Sequence, residues 1–549
     1  MTDYISLLRK FLKSNNSDAI LINSSDDFLS EYNKLSQNSR YKVTGFSGSM
    51  GDCIVTKDKV FLFVDGRYHE QADNEVNHDV VTVIKLQQGE SNLQYIADVL
   101  DKNSTLISTA NKITVNFARN LEKLVSAKNV KIKFINNDPV DELQSQDKNS
   151  PLIQVPLKIT KYSAEQKFKR LNLKENQYFI LTYPCDFAYF TNLRNYDFPY
   201  SSAPRAKAVF SVKSVVLYTD SEVPYKFPEL SVKKLSAFRK DLSKIKNSEV
   251  FIDINNMSYS DFLTIDKSNK ILKSKKFEAK SVKNSNEINH LKNAFNATDR
   301  VLYKINKLIN SKNNLTEYDL YCSINKFFEE EGAVAQSFKP IIASGSNSSV
   351  IHYGVPSDKK VVKNGDFVMV DCGGYFEGGL ATDITRTFIK GNPSDEQKHV
   401  YTMVLKAFIK AYSKKYKNTV TWFDIDNEAR KILSKEEKNG YLFSHSTGHG
   451  IGISVHEFPP RCASFVEFKL KFKRNYVFSI EPGLYKKGVG GVRLENAVYV
   501  EKLSPDFKMT ALSHYPFEEK LVDFSLLNKS ELNFYKDWQK YAEQNNLIV

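Results

Sequence analysis

The sequence predicts a mixed α/β protein of several domains, two of them related to one another and a third built on helices and strand pairs. Three observations carry this. At 549 residues the chain is too long for one core, and ordinary domain sizes give roughly three domains. An apolar run ending in Asp-Phe, followed by a two-strand unit, occurs twice. DAILIN and SSDDF precede TGFSGSMGDCIVTKDKVFLFVDGRY, and QYFILTYPCDFAYFTN precedes KAVFSVKSVVLYTD. After residue 284, helical periodicity gives way to strand-like runs that each hold one acidic residue.

Taken in order, MTDYISLLRKFLKSNNSD reads as an amphipathic helix with no apolar signal core and no small-residue cleavage site. A polar, proline-bearing stretch from Ser145 to Lys158 marks a linker or exposed crossing strand. The expected domains are residues 1–150, 151–283 and 284–549, the last ending in a helical extension from about 505. Asn284 and Glu287 form a capping pair, and Ile288, Leu291, Phe295, Leu302, Ile305 and Ile309 follow at helical spacing. Thr316 and Asp319 open a second helix running through Phe328. The next run, FKPIIASGSNSSVIHYGVP, is strand-like, broken at Ser344 to Ser349, and carries His352. A histidine beside a tyrosine is usually structural; His352 gains weight from the histidines downstream.

Composition narrows the function classes. The hydrophobic share of 41% and charged share of 26% are those of a folded globular protein. The net charge of +14 comes from lysines spread along the chain, without the clustered arginines and aromatic platforms of a nucleic-acid groove. No apolar run approaches the ~20 residues that cross a bilayer. Five widely spaced cysteines include no CxxC pair and fit a reducing compartment, so neither a nucleic-acid nor a membrane partner is expected and the location expected is cytoplasmic.

The stretch with the most chemistry is DFVMVDCGGYFEGGLATDITRT, two strands joined by a glycine-rich turn. Asp371 and Asp383 stand among apolar and β-branched neighbours, where a carboxylate is costly unless a cation or a hydrogen-bond network neutralises it. The plainer reading pairs them with Arg386 or a lysine. Against it stand HSTGHGIGISVHE, with His445, His449 and His456, and then Glu481 in FSIEPG and Glu495 in RLEN. Two aspartates, one histidine and two glutamates make an oxygen-rich ligand set that suits Mn²⁺ or a similar ion better than a structural zinc, which favours cysteine. Cys372 beside Asp371 points to the opposite face by alternation and is read as packing.

The ordered set VDCGG, TDITRT, STGHGIG, VHE, SIEPGLY and RLENA resembles the metallopeptidases of the pita-bread fold, in the long three-domain form of the Xaa-Pro aminopeptidases. GFSGS, DGRY and DFAYFTNLR resemble the two creatinase-like N-terminal domains of that family, and LLNKSELNFYKDWQKY its C-terminal helix. The resemblance implies that Asp371 holds one metal, Asp383 and Glu495 bridge two, and His449 and Glu481 complete the second site. It implies removal of the first residue from peptides with proline second, through attack by a hydroxide shared by two divalent ions. Mn²⁺ is the expected ion, with Co²⁺ or Zn²⁺ as alternatives. Glu481 and His456 would act in catalysis, and His352, His445, Tyr485 and Arg493 would line the substrate pocket. For His445 a loop-bracing role stands beside the functional one. A homodimer is also implied, and Leu532, Tyr535, Trp538 and Ala542 offer an apolar face that could serve it or cap their own domain.

Three positions depart from the family pattern. The segment between Asp371 and Asp383 holds one extra residue, expected as a bulge or longer loop near Glu377, Gly378 and Gly379. Asn475 stands where a glycine is common and tolerates a left-handed backbone. Phe458 also replaces a glycine, which would reshape a pocket wall. A prolidase acting on Xaa-Pro dipeptides is the runner-up, and a pita-bread binding protein without activity is a third class. The filled ligand positions argue against the third, and the doubled front domains against the second.

Overall fold

The computed structural model describes residues 2–87, 89–141, 149–460, 462 and 471–548. Within them the mixed α/β class expected from the sequence is present. The chain forms two compact units, one of Met1–Val155, Tyr162–Pro199 and Ala203–Ala279, the other of Pro156–Lys161, Tyr200–Ser202 and Lys280–Val549.

The first unit holds two six-stranded sheets with one topology. In the first, Ala19–Ile22 lies centrally, antiparallel to Asp52–Thr56 on one side and parallel to Thr105–Thr109 on the other. In the second, Gln177–Leu181 takes that place, antiparallel to Lys207–Phe210 and parallel to Glu249–Phe251. The outer strands repeat the same order and directions. The duplicated motifs are therefore a duplicated fold. The N-terminal helix Thr2–Ser14 buries Ile5, Leu8 and Leu12, the stripe its amphipathic pattern marks. Of the junction, residues 145–148 lie outside the described residues, while Ile153–Gln154 pairs with Leu193–Arg194.

The second unit opens with the helix Ser285–Ser311, whose capping box is the expected Asn284 and Glu287 pair. Thr316 and Asp319 cap Glu317–Glu330 in the same way. The strands Phe367–Cys372 and Ile384–Ile389 pair antiparallel, with Ile341–Ser344 along the outer edge of the first. One face of this sheet, with Val368, Val370, Cys372, Ile384 and Phe388, packs with residues of the two helices in a single core. Alternation then sends Asp371, Thr385 and Thr387 to the other face. Tyr375 bridges to Ala381, so the connection is a five-residue loop in which Gly379 has φ 62°.

A second core joins the helices Asp395–Ser413 and Trp422–Leu433 to Val477–Ile480, Asn496–Lys502 and Asp506–Ala511. Because residues 506–511 form a strand, the helical extension proper is Lys529–Gln544. Its Tyr535, Trp538 and Ala542 are buried inside their own unit and Leu532 is half-buried. The apolar face is thus engaged intramolecularly, and a homodimer rests on the resemblance alone.

Candidate metal centre

The face of the Asp371 hairpin opposite the helices becomes a site because two more segments close on it. Asp371 lies opposite Thr385, and Asp383, two residues earlier, projects on the same side. Glu495 follows the strand Gly490–Arg493, its N–H donating to the Thr385 carbonyl (3.1 Å) and its Oε2 accepting from the Thr385 hydroxyl (2.8 Å). Residues 447–451 run beside Val477–Ile480, with Ser479 N–H donating to the His449 carbonyl and Glu481 N–H to that of Thr447, both at 2.8 Å. A Cβ on Gly448 would lie 2.0 Å from the Ser479 carbonyl oxygen, so only glycine permits this approach. The Ser479 hydroxyl accepts from the His449 N–H and donates to Glu481 Oε1, each at 3.0 Å.

Asp383, His449 and Glu495 offer ligand atoms within 4.8 Å of one another. His449 Nε2 is 3.3 Å from Asp383 Oδ2 and 3.4 Å from Glu481 Oε1. Asp371 is tied to this group through Arg493, whose guanidinium donates to Asp371 Oδ2 (2.6 Å), the Tyr485 hydroxyl oxygen (2.8 Å), Thr385 Oγ1 (3.2 Å) and the Ile351 carbonyl (3.2 Å). Arg386, the partner of the plainer reading, lies on the opposite face and donates to the carbonyls of Thr385, Glu495, Tyr515 and Pro516 and to Asn496.

The donor set fits a cation. Asp371 Oδ1 and Glu495 Oε1 are buried without a hydrogen-bond partner, a cost that a metal ion removes. Burial and the charges of Asp371 and Glu481 hold the Asp383 carboxyl well above the usual carboxylate range. Burial and the Asp383, Glu481 and Asp371 charges do the same to Glu495. Four carboxylates with one arginine among them are short of positive charge, and divalent ions supply it.

Around this group the histidines take distinct places. His456 meets His449 edge to face, ring centroids 4.4 Å apart. The His445 Nδ1 faces the Ser446 carbonyl at 2.8 Å and so carries the proton; Nε2 then accepts from the Tyr485 hydroxyl, also at 2.8 Å. Burial raises the Tyr485 phenol to about 12, which keeps it a donor. His445 therefore braces its loop and joins the Arg493 network at once. His352 lies between Ile351, whose carbonyl binds Arg493, and Tyr353.

Glu457 is an anchor next to His456 in the chain. Its carboxylate pairs with the buried Lys283 and accepts from the Ile453 N–H. Asn475 has φ 64°, the left-handed backbone expected there, and its side chain donates to the Lys283 carbonyl. Phe458 is 52% exposed. The sequence reading missed a bracket on the helix Trp422–Leu433: Asp426 accepts from the Thr447 hydroxyl and N–H, and Arg430 donates to the His445 carbonyl. Its one signal was an Asp–Arg pair four residues apart, which on most helices is a solvated surface pair.

A carboxylate and imidazole cluster beside antiparallel strands, in a chain that also carries two α/β sheets of one topology, marks a candidate metal centre in a protein of mixed α/β class. Residues 289–502 match the model of metallopeptidase family M24. Residues 5–142 and 143–287 each match a creatinase/prolidase N-terminal domain, so the fold is two such domains followed by the pita-bread domain. Among its relatives, a probable Xaa-Pro aminopeptidase P of Leptosphaeria maculans is 28% identical over 98% of this chain and 94% of its own length. One of Paracoccidioides lutzii is 27% identical over 99% and 97%. In fold the chain is similar to the X-prolyl aminopeptidase of Caenorhabditis elegans, described as a cytosolic enzyme with a di-nuclear active site. The TM-score is 0.90 and the identity 22%, over 99% of this chain and 95% of that one.

Proposed function

We propose that this protein is a metal-dependent aminopeptidase that removes the N-terminal residue from peptides with proline at the second position. The observation that carries this is the convergence of Asp383, His449 and Glu495 beside unsatisfied carboxylate oxygens, in a chain that aligns nearly end to end with probable Xaa-Pro aminopeptidases. Asp371, Asp383, His449, Glu481 and Glu495 would hold two divalent ions, for which the oxygen-rich donors favour Mn²⁺ over Co²⁺ or Zn²⁺. When bound, such ions supply Lewis acidity and an activated water.

The chain's own groups do the remaining work. Glu481 takes a proton from the attacking water and returns it to the departing proline nitrogen, which as part of a tertiary amide has no hydrogen of its own. His456 steadies the carbonyl oxygen as charge gathers on it. His352, His445 and Tyr485 line the peptide side, and Arg493 holds Asp371 and Tyr485 in register. We read the first unit as two domains meeting near residue 150 and the catalytic domain as starting near 284; the shared strand order supports the first boundary. A homodimer follows the family resemblance, and a cytoplasmic setting suits five free cysteines.

The test is a peptide panel with and without added Mn²⁺, with products identified by mass. Release of one residue ahead of proline from tripeptides and longer peptides is expected. Activity confined to dipeptides would make the protein a prolidase, and no hydrolysis with any metal would reject the enzyme.

A further inference from the structure

Glu317 is the first residue of the helix Glu317–Glu330 and is fully buried, yet it has no part in the reaction proposed for the metal centre. A buried carboxylate is costly unless donors surround it. Five neutral donors do so. They are the N–H groups of Ser344 (2.7 Å) and Ser357 (3.1 Å), the Ser344 hydroxyl (3.0 Å), the Asn347 amide (3.0 Å) and the Tyr353 hydroxyl (2.9 Å). Burial and the Glu317 charge hold the Tyr353 phenol above its usual pKa, so it remains a donor. The helix start grips the same segment by its backbone, Glu317 N–H to the Lys360 carbonyl and Tyr318 N–H to that of Ser357. One carboxylate therefore pins both ends and the middle of residues 344–357.

That segment carries His352. On one side of it Tyr353 is held by Glu317. On the other, Ile351 packs with Met369 and Tyr485, and its carbonyl accepts from the Arg493 guanidinium that also binds Asp371. We infer that Glu317 is a positioning residue for the aminopeptidase reaction, setting residues 344–357 so that His352 meets the site. The inference rests on the function proposed above.

Glu317→Gln replaces one accepting oxygen by an NH₂ group that must face donors. In the wild-type background kcat/KM for a Xaa-Pro peptide is expected to fall about 10-fold or more. In a His352→Ala background the same substitution is expected to cost less than about 2-fold, because the group it acts through is gone. Equal losses in both backgrounds would reveal a merely structural role and overturn the inference, as would wild-type kcat/KM in Glu317→Gln. Hydrogen exchange gives a readout independent of catalysis. The Ser344 and Ser357 amides should exchange about 10-fold faster or more in the variant, with the helix Asp395–Ser413 unchanged; unchanged exchange at both serines would refute the anchoring. Should Glu317→Gln not fold, Tyr353→Phe, which removes one donor and keeps the carboxylate, takes its place in both backgrounds, with the same result expected and the same result overturning the inference. A wild-type protein inert towards the peptide would reject the functional reading, while the exchange result still decides the anchoring.

Discussion

The Arg493 guanidinium donates to Asp371 Oδ2 at 2.6 Å, while Asp371 Oδ1 is buried with no hydrogen-bond partner. One arginine thus fixes the carboxylate and leaves its second oxygen available to a cation. The same planar fork reaches Tyr485, Thr385 and Ile351. Lysine would keep the charge but not the fork. Arg493→Lys is expected to retain most of its metal and lose about 10- to 100-fold in kcat/KM, the range for groups that orient metal ligands. Near-normal kinetics beside unchanged metal content would show that the fork is dispensable.

Glu481 separates chemistry from binding. An amide can still ligate through its oxygen but cannot carry a proton. Glu481→Gln, assayed at saturating Mn²⁺, should keep substantial metal and lose about 10²-fold or more in turnover. If the metal-loaded variant turned over normally, the proton transfer would pass to another group, with His456 the first to test.

Gly448 sets how closely the His449 segment lies against the strand leading to Glu481. The atom a side chain would strike, the Ser479 carbonyl oxygen at 2.0 Å, is backbone and cannot swing aside. Gly448→Ala should cost about 1–3 kcal/mol by overpacking and lower metal content at the same time. Calorimetry and metal analysis on one sample check both; an unchanged Tm with full metal would contradict the packing described.

His514 gives a pH dependence that comes from a group outside the proposed ligand set. Burial against Trp538 and Tyr541, and then the Arg386 charge, lower its pKa to about 4 from the ordinary histidine value of 6.5. A base whose folded pKa is depressed stabilises the fold fully above its unfolded pKa, and that contribution is lost as pH falls from 6.5 towards 4. The loss is on the order of 3 kcal/mol at most. Asp299, raised to about 6 by burial, works in the opposite sense over much of this window. Comparing His514→Phe with wild type at each pH cancels it. The variant's Tm should fall less steeply between pH 6.5 and 4; parallel curves would mean that His514 titrates freely.

Much of this was legible in the sequence because local rules governed it. Alternation put Asp371 and Cys372 on opposite faces of one strand, Asn284 and Glu287 announced a helix start, and the doubled Asp-Phe motif marked two sheets of one topology. What was hidden depended on distant pairing. Arg493 meets Asp371 across 122 positions, and nothing in either neighbourhood distinguishes it from Arg386, which sits closer in the chain and faces away. Glu317 reads as an ordinary acidic residue at a helix start until the fold gathers five donors on it. The C-terminal stripe of Tyr535, Trp538 and Ala542 signals burial but not against what, since an amphipathic pattern is the same for a partner and for the helix's own core.

The most direct test is to titrate Mn²⁺ into metal-stripped protein while following both bound metal and release of the first residue from a Xaa-Pro peptide. The expected result is no release without metal, activity rising with occupancy to a plateau at two ions per chain, and Asp383→Ala or Glu495→Ala far below two ions and inactive. Full turnover in the stripped protein, or two ions with normal turnover in either variant, would contradict the site described.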